Sequence, residues 1–236
     1  METVAIESVR DMVIGKDVMR KLREVDVWRS FSKWLKERPR TYGELVSEQP
    51  TYAQWLSYNV ELPEKVADWL WEQGCARTWW RDGQRHRERG PAVVAANGLR
   101  EWWLDGKRHR TVGPAIVYPD GGMEWWYDGR RHRDGGPAIV HADGLLEWYR
   151  YGLCHRSDGP ARMFPDGRLE WYQEGHLHRD GGPAIMRPDG NAEWWYRGRR
   201  HRDGGPAVEY ADGHREWWID GERVPEPTGI SREVSV

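Results

Sequence analysis

The chain has 236 residues, 38% of them hydrophobic, with 36 Lys and Arg against 38 Asp and Glu for a net charge of −2. That balance excludes the basic excess of a purely electrostatic nucleic-acid binder. The sequence holds no run of about 18 apolar residues and no apolar leader, so a cytoplasmic protein with no membrane partner is expected. The aromatic choice, 17 Trp and 10 Tyr against 2 Phe, suits a thin structure whose side chains are only half covered. Cys75 and Cys154 have no metal-type spacing, and free thiols are expected.

Residues 1–77 carry no repeat and read as a helical block. Met12, Ile14, Val18, Leu22, Val25, Trp28, Phe31 and Leu35 recur near helical spacing over 11–36, ahead of Pro39. Thr41, with Glu44 three residues later, has the shape of a capping box. Tyr52, Trp55 and Leu56 mark another short helix over 50–58, and Pro63 opens one over 64–73 that Gly74 closes. The block is either a small functional domain or the cover for the first apolar face of a repeat stack. Repeat arrays need such a cover, which favours the second.

From residue 78 a period of 23 takes over. His86, His109, His132, His155, His178 and His201 are each followed by Arg, then by Gly-Pro-Ala, Asp/Asn-Gly and Glu-Trp-Trp/Tyr. A fixed period in this range marks a repeat architecture. Asp-Gly between β-prone runs is a strong hairpin signal, because both turn residues tolerate positive φ. The expected fold is α+β: a small N-terminal helical domain (1–77), an elongated single-sheet array of antiparallel β-hairpin repeats (78–225), and a tail (226–236). At about 4.8 Å per strand the array would run about 60 Å. It ends where the His and Arg positions become Val224 and Pro225.

A two-residue turn at Asp105-Gly106 sets Leu104 opposite Lys107, Trp103 opposite Arg108, Trp102 opposite His109 and Glu101 opposite Arg110. The same arithmetic gives Trp125–His132, Trp148–His155, Trp171–His178 and Trp194–His201. It also gives Glu124–Arg133, Glu147–Arg156, Glu170–Arg179 and Glu193–Arg202 as a structural ladder. An equivalent count at Asp120-Gly121 sets Ile116 opposite Trp125 and Ala115 opposite Trp126. Directly opposed pairs stabilise a sheet by roughly 0.2–1 kcal/mol each. A metal or catalytic site needs several groups converging on one point, whereas these recur about 10 Å apart. No enzyme, no metal site and no cofactor is therefore expected.

The period, the turns at Tyr127-Asp128-Gly129 and Tyr196-Arg197-Gly198, and the second Asp-Gly resemble MORN repeats. They look closest to the bacterial and viral variant found in antitoxin-like and prophage proteins. The resemblance covers 79–223 and implies stacked hairpins that bind other proteins or self-associate. His-Arg-x-x-Gly-Pro-Ala and the doubled Trp depart from the eukaryotic pattern. The leading expectation is a non-enzymatic inhibitor or antitoxin that binds a toxin, nuclease or defence protein. Its contact residues are expected where the repeat is broken: Arg150, Cys154, Arg162, Phe164, Gln173, His176, Leu177, Arg187 and His214. Two alternatives stand beside it. One is a nucleotide or single-stranded nucleic-acid binder using the rows Trp103/Arg108, Trp126/Arg131 and Trp195/Arg200. The other is a scaffold or homodimer joined through an open sheet edge.

Overall fold

In a computed structural model of the protein, the described residues are Met12, Ile14, Val18 and 41–227. Apart from those three positions, the helix expected over 11–36 lies outside them, as does the tail beyond Pro227. The chain divides into two compact units, 1–119 and 120–236.

Three helices among the described residues open the first unit. Thr41 caps α1 (Tyr42–Glu48) by the expected box: Glu44 N–H donates to Thr41 Oγ1 at 3.1 Å, and Thr41 N–H donates to Glu44 Oε2 at 2.9 Å. α2 (Pro50–Asn59) starts on Pro50, whose missing N–H is harmless in a first turn. α3 (Glu64–Glu72) follows Pro63. Leu45, Leu56, Val66 and Leu70 are fully buried where the helices meet, joined by Ile14 and Val18. Burial of such side chains stabilises by about 1.5–3 kcal/mol each. Both α2 and α3 pack on the strand Arg77–Thr78. Ala76 N–H donates to Ser57 Oγ at 3.1 Å, and Arg77 meets Asp68 at 2.9 Å. That strand is the terminal one in the sheet order, and among the described residues it pairs with Val93–Val94. The helical block thus contacts the first strand of the array.

The repeats make the fold α+β, and among the described residues of each unit the ladder strands pair antiparallel. Each repeat gives two ladder strands, such as Ile139–Val140 and Leu146–Glu147, and then a separate hairpin, such as Tyr149–Arg150 with Leu153–Cys154. The first Trp of each Glu-Trp-Trp/Tyr is the corner between them. Trp148 N–H donates to the Ala161 carbonyl in the ladder at 2.8 Å, while its own carbonyl accepts from His155 N–H in the hairpin at 3.0 Å. The same pair of bonds recurs at Trp102 with His109, Trp125 with His132, Trp171 with His178 and Trp194 with His201. The expected Trp–His partners therefore do face each other.

Two kinds of turn set the register. The outer hairpins close on two residues, the first at φ 47–50° and the second a glycine, which is what a tight hairpin with the native twist demands. Leu104–Lys107 and Trp103–Arg108 pair as expected. The ladder turns are one residue longer. His141 N–H donates to the Leu145 carbonyl at 2.9 Å and Gly144 N–H to the His141 carbonyl at 3.0 Å, with Gly144 at φ 94°. Asp143 Oδ1 accepts from Leu145 N–H at 3.0 Å and holds the loop shut. The extra residue reverses the parity of the following strand. Ile139 faces Glu147 rather than Trp148, Ile185 faces Glu193 rather than Trp194, and Ile116 pairs with Glu101. The expected apposition of Ile and Ala with the indoles is thereby corrected.

Candidate functional site

The shifted register builds a row in which carboxylates alternate with apolar residues and, at one place, with an arginine. In residues 120–236 it reads Glu124, Ile139, Glu147, Arg162, Glu170, Ile185, Glu193, Val208, Glu216. Glu101, Glu124, Glu147, Glu170 and Glu193 are only 3–7% exposed, so each needs hydrogen-bond donors. The aromatic two residues on, the first side chain beyond the Trp corner, is one donor. Trp103 Nε1 donates to Glu101 at 2.7 Å, Trp126 to Glu124 at 2.9 Å, Trp195 to Glu193 at 3.1 Å, and Tyr149 OH to Glu147 at 3.2 Å.

A guanidinium is the second. Arg108 lies 3.5 Å from Glu101, Arg131 3.2 Å from Glu124 and Arg200 3.1 Å from Glu193. Cys154 and Leu177 occupy the equivalent positions in the middle repeats. There Arg162 reaches Glu147 at 2.7 Å, Arg168 reaches Glu170 at 3.0 Å, and His141 adds a contact to Glu147 at 2.8 Å. Burial alone would raise the Glu147 carboxyl, but His141 and Arg162 leave it below its ordinary value. Glu193 is held low in the same way, by Arg187 and Arg200. Burial pushes the Cys154 thiol up to about 12 and the Cys75 thiol upward.

The expected rungs Glu101–Arg110, Glu124–Arg133, Glu147–Arg156, Glu170–Arg179 and Glu193–Arg202 are replaced by another arrangement. The chain turns at the first Trp, so the Arg after each His leaves the hairpin. Its guanidinium lies on the ring of that Trp, Arg133 on Trp125 at 3.8 Å and Arg179 on Trp171 at 3.9 Å, and donates to the Pro137 and Pro183 carbonyls, both at 3.1 Å. Arg110, Arg156 and Arg202 repeat this on Trp102, Trp148 and Trp194. Glycine before that Pro leaves room for the guanidinium, since a Cβ at Gly136 would stand 3.0 Å from Arg133 Cζ. The imidazoles link one repeat to the next: Arg197 N–H donates to His178 Nδ1 at 3.2 Å and Glu174 N–H to His155 Nδ1 at 3.2 Å. Both donors are positive-φ turn residues.

The off-pattern positions divide into two sets. Cys154 is buried, Arg162 pairs with Glu147, Arg187 with Glu193 at 2.8 Å, and Phe164 lies under Arg168 at 3.8 Å. Half-buried Leu177 faces Tyr172 in its hairpin. His214 is exposed beside Tyr210, ring centroids 5.3 Å apart. Arg150, Gln173 and His176 are exposed on outer hairpins. Sequence reasoning missed His141 and Arg168, whose roles follow only once the longer ladder turn is known. Arg108, Arg131 and Arg200 of the proposed base-stacking rows are each committed to a carboxylate, with the neighbouring indole on the same one. Among the described residues no group of three or more His, Cys, Asp or Glu could hold a metal ion, and no helix is long and apolar enough to cross a membrane.

The architecture defines a tandem antiparallel β-hairpin repeat protein. No protein-family model matches the chain, and no curated protein matches it.

Proposed function

We propose that the chain is a non-catalytic, protein-binding repeat protein of the MORN type, a bacterial or phage antitoxin-like inhibitor of a toxin, nuclease or defence protein. One observation carries the reading: a constant backbone displays non-constant side chains. The outer hairpins present Arg150 with Leu153, Gln173 with His176, Tyr196 with Arg199 and Ile219 with Glu222 at equivalent places. Leu153 and Tyr196 are 50% and 41% exposed. The buried carboxylates need none of these side chains, and exposed aromatic and arginine side chains are what protein interfaces use as anchors. The nucleic-acid alternative has weaker support, since its Trp/Arg rows serve the buried carboxylates.

The test uses the tagged full chain and an Arg150→Ala/Gln173→Ala/His176→Ala variant to capture protein from a lysate of the native host. A protein retained by the wild type and lost by the variant, at an unchanged melting temperature, is expected. Equal retention by both would sink the assignment of the hairpin positions.

A further inference from the structure

Opposite the carboxylate row, residues 120–236 carry an unbroken line of apolar side chains. Met123 pairs with Val140, Val140 with Leu146, Leu146 with Met163, Met163 with Leu169, Leu169 with Met186 and Met186 with Ala192. All stay partly open to solvent, and Met186 is 40% exposed. Seven strands at about 4.8 Å make the line roughly 29 Å long.

Beside it runs the line of Trp-stacked guanidiniums. Met123 and Trp125 lie two apart in one strand direction and share this face. Arg156 and Arg179 lie against the Met163 and Met186 sulfurs, at 4.0 and 3.6 Å. Arg202 shows what such a guanidinium selects. Position 209 carries Glu where 140, 163 and 186 carry Val or Met, and Arg202 donates to Glu209 Oε1 at 2.8 Å. Arg156 is met by Asp158 at 2.8 Å. Arg133 and Arg179 hold the same stacked position with no carboxylate partner among the described residues. Burial lowers the Arg133 pKa, with no acid to offset it.

We infer that this face takes an acidic amphipathic helix of a partner protein, its apolar side along the Met123-to-Ala192 line and its carboxylates on Arg133 and Arg179. The inference rests on the reading that the array binds protein, and it puts a contact on a different surface from the hairpin positions. A helix suits a sheet face because it satisfies its own backbone groups, whereas an extended segment laid there would bury unpaired N–H and C=O groups. The two guanidiniums are four strand steps apart, about 19 Å. Two heptads of helix rise about 21 Å, and roughly 20 residues cover the line.

A helical peptide with a leucine stripe and Glu residues two heptads apart, titrated into the full chain by fluorescence anisotropy, tests this. Saturable binding is expected, weakened roughly tenfold when the peptide Glu residues become Gln. Val140→Glu/Met186→Glu should weaken it as much while keeping the fold, because each new carboxylate meets its guanidinium as Glu209 meets Arg202. Arg150→Ala/Gln173→Ala/His176→Ala should bind the peptide like the wild type. Equal binding of Glu and Gln peptides, no saturation at millimolar peptide, or preferential binding of a single-stranded oligonucleotide would overturn the inference. So would binding that requires removal of residues 228–236, which would make the chain's own end the occupant. None of these results touches the capture experiment, so the two readings fail separately.

Discussion

Replacing Arg162 with Ile gives that position the residue found at 139 and 185 in the same row, and hydropathy alone would favour the change. The surroundings argue the reverse. Arg162 lies 2.7 Å from Glu147 and 3.9 Å from Glu170, carboxylates that are each 6% exposed. Removing one partner of a buried pair costs about 3–5 kcal/mol. Here His141 and Tyr149 still serve Glu147, Arg168 still serves Glu170, and the Arg162 side chain is 32% exposed. Discounted for these, the expected cost is about 2 kcal/mol, or roughly 4–8 °C in melting temperature for a chain of this size.

The decisive measurement is rescue. Position 154 corresponds to 108, 131 and 200, where Arg reaches the Glu of its own repeat. Cys154→Arg should therefore restore much of what Arg162→Ile removes, and should destabilise by itself by adding a cation beside Arg162. A thermal-denaturation double-mutant cycle is expected to give a favourable coupling of about 1–3 kcal/mol. Additive effects would refute the claim that the Arg has migrated from one strand to the next to serve the same carboxylate.

Acid should unfold the array through its carboxylates. Glu147 and Glu193 have folded-state values below the unfolded one, so their contribution is present above about pH 4.3 and lost as pH falls through the folded values. The melting temperature should drop below pH 4 and drop less in Glu147→Gln; a flat profile counts against this. Gly136→Ala should cost about 1–2 kcal/mol by pushing Arg133 off Trp125, read as a lowered melting temperature. An unchanged stability would mean the guanidinium brace is idle. Cys154, buried and with its thiol near 12, should resist an aromatic disulfide reagent until the protein unfolds. Labelling of the native protein at the rate of a free thiol would contradict that burial.

Hairpins, turns and the Trp–His partners were legible because a two-residue turn fixes its own register: Asp105-Gly106 sets Leu104 on Lys107 with no further information. The ladder turn was not. Asp143-Gly144 reads in sequence like Asp105-Gly106, yet the loop keeps Ala142 as well, through the bond from Leu145 N–H to Asp143 Oδ1. That one residue decides whether Glu147 faces Ile139 or lies elsewhere, and with it the partner of every buried carboxylate. The Glu–Arg rungs fail for the same kind of reason. Counting outward from a turn assumes a straight strand, and the strand bends at each first Trp. In the last repeat, where Pro225 replaces the stacked Arg, Arg215–Ile219 runs unbroken and Trp217 pairs directly with Val224.

A break in a repeat is therefore not in itself a sign of a binding residue. Arg162, Cys154, Leu177 and Arg168 all depart from the pattern, and together they describe one transfer of positive charge between neighbouring strands at constant carboxylate burial. Substituting Arg162 or Arg168 alone takes a donor from a buried carboxylate whatever the partner is. The informative departures are those with no carboxylate to satisfy: Arg150, Leu153, Gln173 and His176 on the hairpins, and the Met and Val residues that stand where Glu209 stands in the last repeat. At those places no buried carboxylate depends on the side chain, so what is found there is free to answer to a partner.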